Sequence, residues 1–235
     1  MNNGHSLLRA FRTIGLILIL GVSMSACATS TFTWKEEVQL HDGKKMIVER
    51  SNTYDSSMPH EIGQGAPLAE HKTTFTIPGT TQKVIWKSDY GTENERANLY
   101  LLALDFLDGL PYAATTPAFC HGYNKWKRPN PPYVFFKYVG EWKRISMEEF
   151  PEKLKINVTL DLNEPSKKKM TAENREYGFV RAKTVAEINH EPGMSKEYYS
   201  LLRTPLDSGD LCPPIYGGFK APHPIPQPNK ADDNK

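Results

Sequence analysis

The chain is 235 residues long, 39% hydrophobic and 24% charged, a composition that excludes a polytopic membrane protein and fits one globular domain. Its formal net charge is +2, from 29 Lys and Arg against 27 Asp and Glu. The excess lies in Arg9 and Arg12, so residues 27–235 are balanced and lack the clustered cations that displace counterions from phosphates; this argues against nucleic acid as a partner.

Residues 1–13 are polar and carry those two arginines, residues 14–20 run apolar, and small residues come next at Gly21, Ser23, Ser25 and Ala26. The apolar run is too short for a permanent spanning helix, and the charged, apolar, small layout reads as a secretion signal. The stretch Val22-Ser23-Met24-Ser25-Ala26-Cys27-Ala28 resembles the lipobox of bacterial lipoproteins, with Met24 where that family usually has Leu. The resemblance covers residues 1–28. It implies a signal peptide over 1–26 and lipidation of the Cys27 sulfur, with Cys27 as the acylated first residue. Two or three chains at about 0.8 kcal/mol per buried methylene hold a protein stably to a membrane, where one binds marginally. Ala28, in place of the Asp that favours inner-membrane retention in that family, implies the outer membrane facing the periplasm. The same residues also form an A-x-A site, at which cleavage after Ala28 gives a soluble periplasmic protein.

Residues 27–31 read as a tether, 32–212 as a single β-rich domain and 213–235 as a tail. Alternation begins with Phe32, Trp34, Val38 and Leu40 on one parity, Glu36 being the exception, and Asp42-Gly43 turns the chain into a hairpin with residues 45–50. The Trp34-Lys35-Glu36-Glu37-Val38 opening with Asp42-Gly43 is similar to uncharacterised envelope proteins of Gram-negative bacteria, a resemblance that implies no activity. Residues 53–72 read as a loop with room for one short strand. Its mirrored pairs His60-Glu61 and Glu70-His71 lack the H-E-x-x-H spacing of a zinc helix, and Gly63, Gly65 and Pro67 oppose a helix, so a solvated polar loop without metal is expected.

Residues 73–77 and 84–86 flank Pro78-Gly79 as a second hairpin, and 99–107 and 110–116 flank Asp108-Gly109 as a third. In the third, Tyr100, Leu102, Leu104 and Phe106 alternate with Leu101, Ala103, Asp105 and Leu107; both parities are largely apolar, which predicts a central strand covered on both faces. Asp105 and Asp108 fall on one turn and read as strand-end chemistry rather than as a glycosidase pair. A Pro-punctuated connection over 117–132 precedes a fourth hairpin, 133–139 and 142–145 around Gly140. Ser146 and Glu149 fit a capping box that Pro151 halts, and 155–162 reads as one more strand. Tyr177, Val180, Thr184, Val185 and Ile188 then recur at helical spacing, and Ser195 is placed to cap a helix over 196–203. The expected fold is mainly β, an antiparallel hairpin-built sheet or sandwich with one or two late helices, with α+β as the alternative.

Setting Cys27 aside leaves Cys120 and Cys212, which an oxidising compartment would join as a disulfide; the alternative is two structural thiols. Closure of so long a loop is worth roughly 4 to 5 kcal/mol in the chain-entropy model. His121 beside Cys120 does not make it a nucleophile, since neighbours on a strand point to opposite faces. Six of the last 24 residues are Pro, a composition for extended polyproline geometry rather than core.

Each of the four tryptophans is succeeded by lysine, at Trp34, Trp86, Trp126 and Trp142. Alternation would aim each indole inward and each ammonium at solvent. The functional alternative is an aromatic and cationic surface that stacks on sugar rings and binds anionic cell-wall polymer. There is no G-x-S-x-G elbow, P-loop or G-x-G-x-x-G, so no catalytic residue, metal or cofactor is assigned. The expectation is a lipid-anchored, non-catalytic binding or structural module with an envelope protein or peptidoglycan as partner. An envelope hydrolase and a small-ligand carrier with a pocket between sheet and helices are the alternatives.

Overall fold

The computed structural model describes residues 29–57, 66–89, 99–160, 164–207 and 212. The signal segment, Cys27, His60-Glu61 and the tail 213–235 lie outside the described residues. Two compact units are distinguished, residues 1–30 with 54–67 and residues 31–53 with 68–235. In the smaller, the Asp55 N–H donates to Pro67 O at 2.9 Å, and Asp55 Oδ1 accepts from the N–H and hydroxyl of Ser57 at 2.8 and 2.6 Å.

The architecture is mainly β, two antiparallel four-stranded sheets with one short helix between strands and further helices after them. The first sheet has the order β1 (Thr29–Gln39), β2 (Lys45–Asp55), β3 (Leu68–Thr76), β4 (Lys83–Asp89), and the second β5 (Leu99–Leu107), β6 (Leu110–Pro117), β7 (Val134–Tyr138), β8 (Trp142–Ile145). Within each sheet, sequence neighbours are sheet neighbours, and tight turns with positive φ close hairpins at Gly43, Gly79, Gly109 and Gly140. At the β5–β6 turn, Asp108 and Gly109 have φ of 52° and 77°, both positive as a two-residue type I′ turn requires. The helices among the described residues are α1 (Phe119–Lys125), α2 (Glu164–Tyr177) and α3 (Ala182–Asn189).

Three apolar clusters hold these elements. Val38, Val48, Phe75 and Trp86 of the first sheet pack with Leu101, Leu104, Phe106 and Val134 of the second in one core. The other face of the second sheet, with Leu102, Tyr112 and Phe135, is covered by Phe150 and Leu154, and by Leu201 and Leu202. Trp34 packs with Met170 of α2, with Val180, and with Val185 and Ile188 of α3. There the Glu37 N–H donates to Val180 O and the Val180 N–H to Lys35 O, both at 2.8 Å.

Several expectations are corrected. Strand β5 is covered on both faces, but it lies at the end of its sheet, and a bulge between Leu101 and Ala103 breaks its alternation. Leu99 and Leu101 therefore share a core with Leu104 and Phe106, across the parity change. Residues 155–160 are irregular and serve that bare strand instead of forming a ninth. The N–H groups of Asn157 and Val158 donate to Leu102 O at 3.1 and 3.3 Å. The Asn157 amide accepts from Leu104 N and donates to Leu104 O.

The segment read as a loop over 53–72 is shorter, since β2 reaches Asp55 and β3 starts at Leu68. Periodicity failed there because the inward positions are polar: Ser51, Asn52 and His71 are all buried. Alternation missed residues 29–31 as well, which belong to β1 rather than to a tether. The late helical pattern is two helices, parted after Tyr177 at Gly178, whose φ is 80°. Ser195 makes no side-chain cap, and only a 3-10 turn, Lys196–Tyr198, comes after it. Ser146 and Glu149 do form the reciprocal capping bonds, at 2.9 and 3.3 Å, around a single turn.

Candidate binding site

Three of the four tryptophans meet. Trp86 on β4, Trp142 on β8 and Trp126, just past α1, line a cleft of about 200 Å³ together with Phe136 of β7 and Lys87. The sheet pleat aims Trp86 inward, 3% exposed, so it forms the floor. Trp142 is pinned by its indole N–H, which donates to Ile85 O at 2.8 Å. It also meets Tyr138 edge-on at 5.3 Å. Trp126 meets Phe136 edge-on at 6.2 Å, and the Arg144 guanidinium stands 5.6 Å from the Trp126 ring centre. Such a wall offers large, rigid apolar faces beside a cation.

Trp34 is not part of it. It is 2% exposed under α2 and α3, and its indole N–H donates to Glu36 Oε2 at 2.7 Å. Nor do the lysines next to the tryptophans form one open cationic face, since three of the four are paired. Lys87 pairs with Glu70 at 2.7 Å, Lys143 with Glu141 at 3.6 Å and Lys35 with Glu49 at 3.9 Å. Arg144, which the Trp-Lys pattern does not contain, adds a cation at the Trp126 ring.

The sulfurs of Cys120 and Cys212 lie at bonding distance with their Cα atoms 5.4 Å apart, joining residues 92 positions apart. Cys120 sits on α1, a helix that the prolines of 117–132 concealed. Arg128 reinforces the link: Nη2 donates to Cys212 O at 2.9 Å and Nη1 to Asn124 Oδ1 at 2.7 Å. The same short helix that carries the cysteine delivers Trp126 to the cleft.

Glu70 and His71 form no solvated loop. They sit on β3, where Glu70 pairs with Lys87 while His71 is 5% exposed. His71 Nδ1 lies 2.9 Å from Asn52 Oδ1. Burial first, then the nearby Arg50 charge, push the His71 pKa down to about 3. The ring is therefore neutral, Nδ1–H is the donor to Asn52, and Nε2 is buried with no partner among the described residues. No group of three metal-ligating side chains occurs among the described residues. Beside His71, Arg50 Nη1 donates to Glu36 Oε1 at 2.9 Å and to Thr159 O at 2.7 Å. The Thr159 N–H donates to the same carboxylate at 3.2 Å. Glu36, the one break in the β1 alternation, is thus a fully buried acid inside a closed set of donors.

A larger cavity of about 570 Å³ opens between the end of β1, residues 153–157 and α3. His41 lies on its wall, held by Asp105: the His41 N–H donates to Asp105 Oδ2 at 2.8 Å, and Nδ1 lies 2.9 Å from Oδ1. Sequence reasoning weighed Asp105 only against Asp108 and passed over His41. The one signal was a histidine ending an amphipathic strand just before its turn.

Comparison with known proteins finds no matching family model, no similar curated protein and no matching solved structure.

Proposed function

We propose that the protein is an exported lipoprotein, anchored through acylated Cys27 to the outer membrane and facing the periplasm, whose domain is a non-catalytic module that binds cell-wall polymer. The observation that carries the binding role is the meeting of Trp86, Trp126 and Trp142 in one cleft. Flat aromatic walls with few polar groups suit the apolar faces of sugar rings, and the Arg144 cation beside Trp126 suits an anionic substituent. Residues 22–28 support the anchor, and the paired Cys120 and Cys212 agree with an oxidising compartment.

Two experiments test this reading. Metabolic acyl labelling is expected in wild type and absent in Cys27→Ala; label persisting in the variant refutes the anchor. Wild-type protein is expected to sediment with purified peptidoglycan, and Trp126→Ala, checked for an unchanged circular dichroism spectrum, to remain in the supernatant. Equal sedimentation of both refutes the cleft as the binding site.

A further inference from the structure

The 570 Å³ cavity is a second site with different chemistry. Its one carboxylate among the described lining residues, Asp105, is 1% exposed. Asp105 is already saturated: Oδ1 accepts from the Phe106 N–H at 2.7 Å and faces His41 Nδ1, while Oδ2 accepts from the His41 N–H. A carboxylate is acceptor-only, so His41 carries its proton on Nδ1 and presents Nε2 away from Asp105. The His41 side chain is 17% exposed, and none of the described residues bonds Nε2. His190, on the same wall, is fixed in the same sense. Its Nδ1 lies 2.7 Å from Ala186 O, a pure acceptor, and its ring lies against Tyr199 at 4.6 Å. Lys153 and Lys155 complete the polar lining, exposed and without a carboxylate partner among the described residues.

The two ammonium groups call for an anion, the Asp105 carboxylate being turned into the wall onto N–H donors, and the bare Nε2 of His41 calls for a hydrogen-bond donor. The imidazoles narrow the class. A phosphoryl group supplies both charge and donor, since it can keep one O–H to donate to Nε2 while its other oxygens stay charged. A carboxylate, already bare at neutral pH, has no O–H for Nε2. The volume falls in the range of small-molecule pockets, well above a lone phosphate ion, and Leu40, Ile156 and Val185 line the rest. We infer that this cavity binds a small phosphomonoester, with Lys153, Lys155 and His41 Nε2 on the phosphoryl oxygens and the organic part against the apolar wall.

The test tracks the His41 ring in long-range ¹H–¹⁵N spectra of the full chain in neutral detergent, titrated with inorganic phosphate, glycerol 3-phosphate and acetate. Saturable shifts with both phosphates at concentrations up to about 10 mM, and weaker binding of acetate, are expected. Lys153→Gln with Lys155→Gln is expected to weaken glycerol 3-phosphate by about tenfold or more, while Lys44→Gln, paired with Asp42 at 2.8 Å, leaves it unchanged. Vesicles of phosphatidic acid separate the sources: competition with glycerol 3-phosphate assigns a lipid headgroup, and its absence a soluble ester. Unmoved His41 resonances, equal binding of acetate, or equal losses in the Lys44 and Lys153/Lys155 variants overturn the inference. The sedimentation assay on the tryptophan cleft is unaffected by any of these outcomes.

Discussion

Arg50→Met tests the polar centre of the first sheet. Methionine keeps the apolar stem of the side chain but removes the charge that faces Glu36, a carboxylate 0% exposed. After the change Glu36 retains the Trp34 indole N–H and the Thr159 N–H, and Thr159 O loses the donor at 2.7 Å. The Arg50 guanidinium also leaves the Trp34 ring, whose centre it approaches to 5.0 Å. Removing one member of a buried ion pair costs about 3 to 5 kcal/mol, because the other charge stays behind in a poor solvent. At roughly 3 °C per kcal/mol for a domain of this size, Tm falls by about 12 °C. Urea denaturation of the oxidised protein monitored by tryptophan fluorescence reads the loss directly. Adding Glu36→Gln, which removes the stranded charge while keeping an acceptor for both N–H groups, is expected to recover part of it. A loss below about 1 kcal/mol, the size of an exposed pair, or a double variant weaker than Arg50→Met, refutes the account.

Three further outcomes are expected. The folded-state pKa of His71 is lowered to about 3, so the unfolded chain binds the extra proton; the contribution is intact above the unfolded value of about 6.5 and is lost as pH falls toward 3, at up to about 1.4 kcal/mol per pH unit. His71→Gln should flatten the stability profile between about pH 6 and 5, where most carboxylates remain ionised, and an unchanged slope there contradicts a neutral buried His71. Reduction of the Cys120–Cys212 pair should cost roughly 4 to 5 kcal/mol and slow the protein on a denaturing gel; two thiols freely alkylated in the native protein argue against the bond. Because Trp126 lies directly after the helix that carries Cys120, Cys120→Ser should also weaken sedimentation with peptidoglycan, and undiminished binding separates the cleft from the bond.

The sequence discloses a position when that position is decided locally. All four hairpins arise from alternation and from turn residues such as Asp108-Gly109, since strand period and positive φ are properties of the residues themselves. Alternation also found Trp34 and Trp86 on inward faces, and the spacing of Val185 and Ile188 found a helix. It failed where a buried face is polar. Arg50, Asn52 and His71 look like solvent positions until Glu36 and Thr159 arrive from other parts of the chain to meet Arg50, and Asn52 and His71 meet each other across 19 residues. The bulge in β5 was hidden for a related reason, because both of its parities are apolar and neither marks the slip. The cleft was legible as a set of residue types but not as a place, for Trp86 and Trp142 come from different hairpins and Trp126 from the helical connection between β6 and β7. The pairing of His41 with Asp105, 64 residues apart, has no local signature.

The amide of Asn157 has a role that reaches past one molecule. By occupying Leu104 on both its N–H and C=O, and by holding Gln39 O at 3.0 Å, it keeps an apolar strand from serving as a template for another chain. Newly made copies crowd together before any is mature, and a strand with open hydrogen-bonding groups then recruits its neighbours into aggregates. A single Asn157→Leu substitution strips the buried Leu104 of both partners, and the expected result is a less stable chain that precipitates when concentrated, a solubility defect with its origin far from any surface hydrophobe.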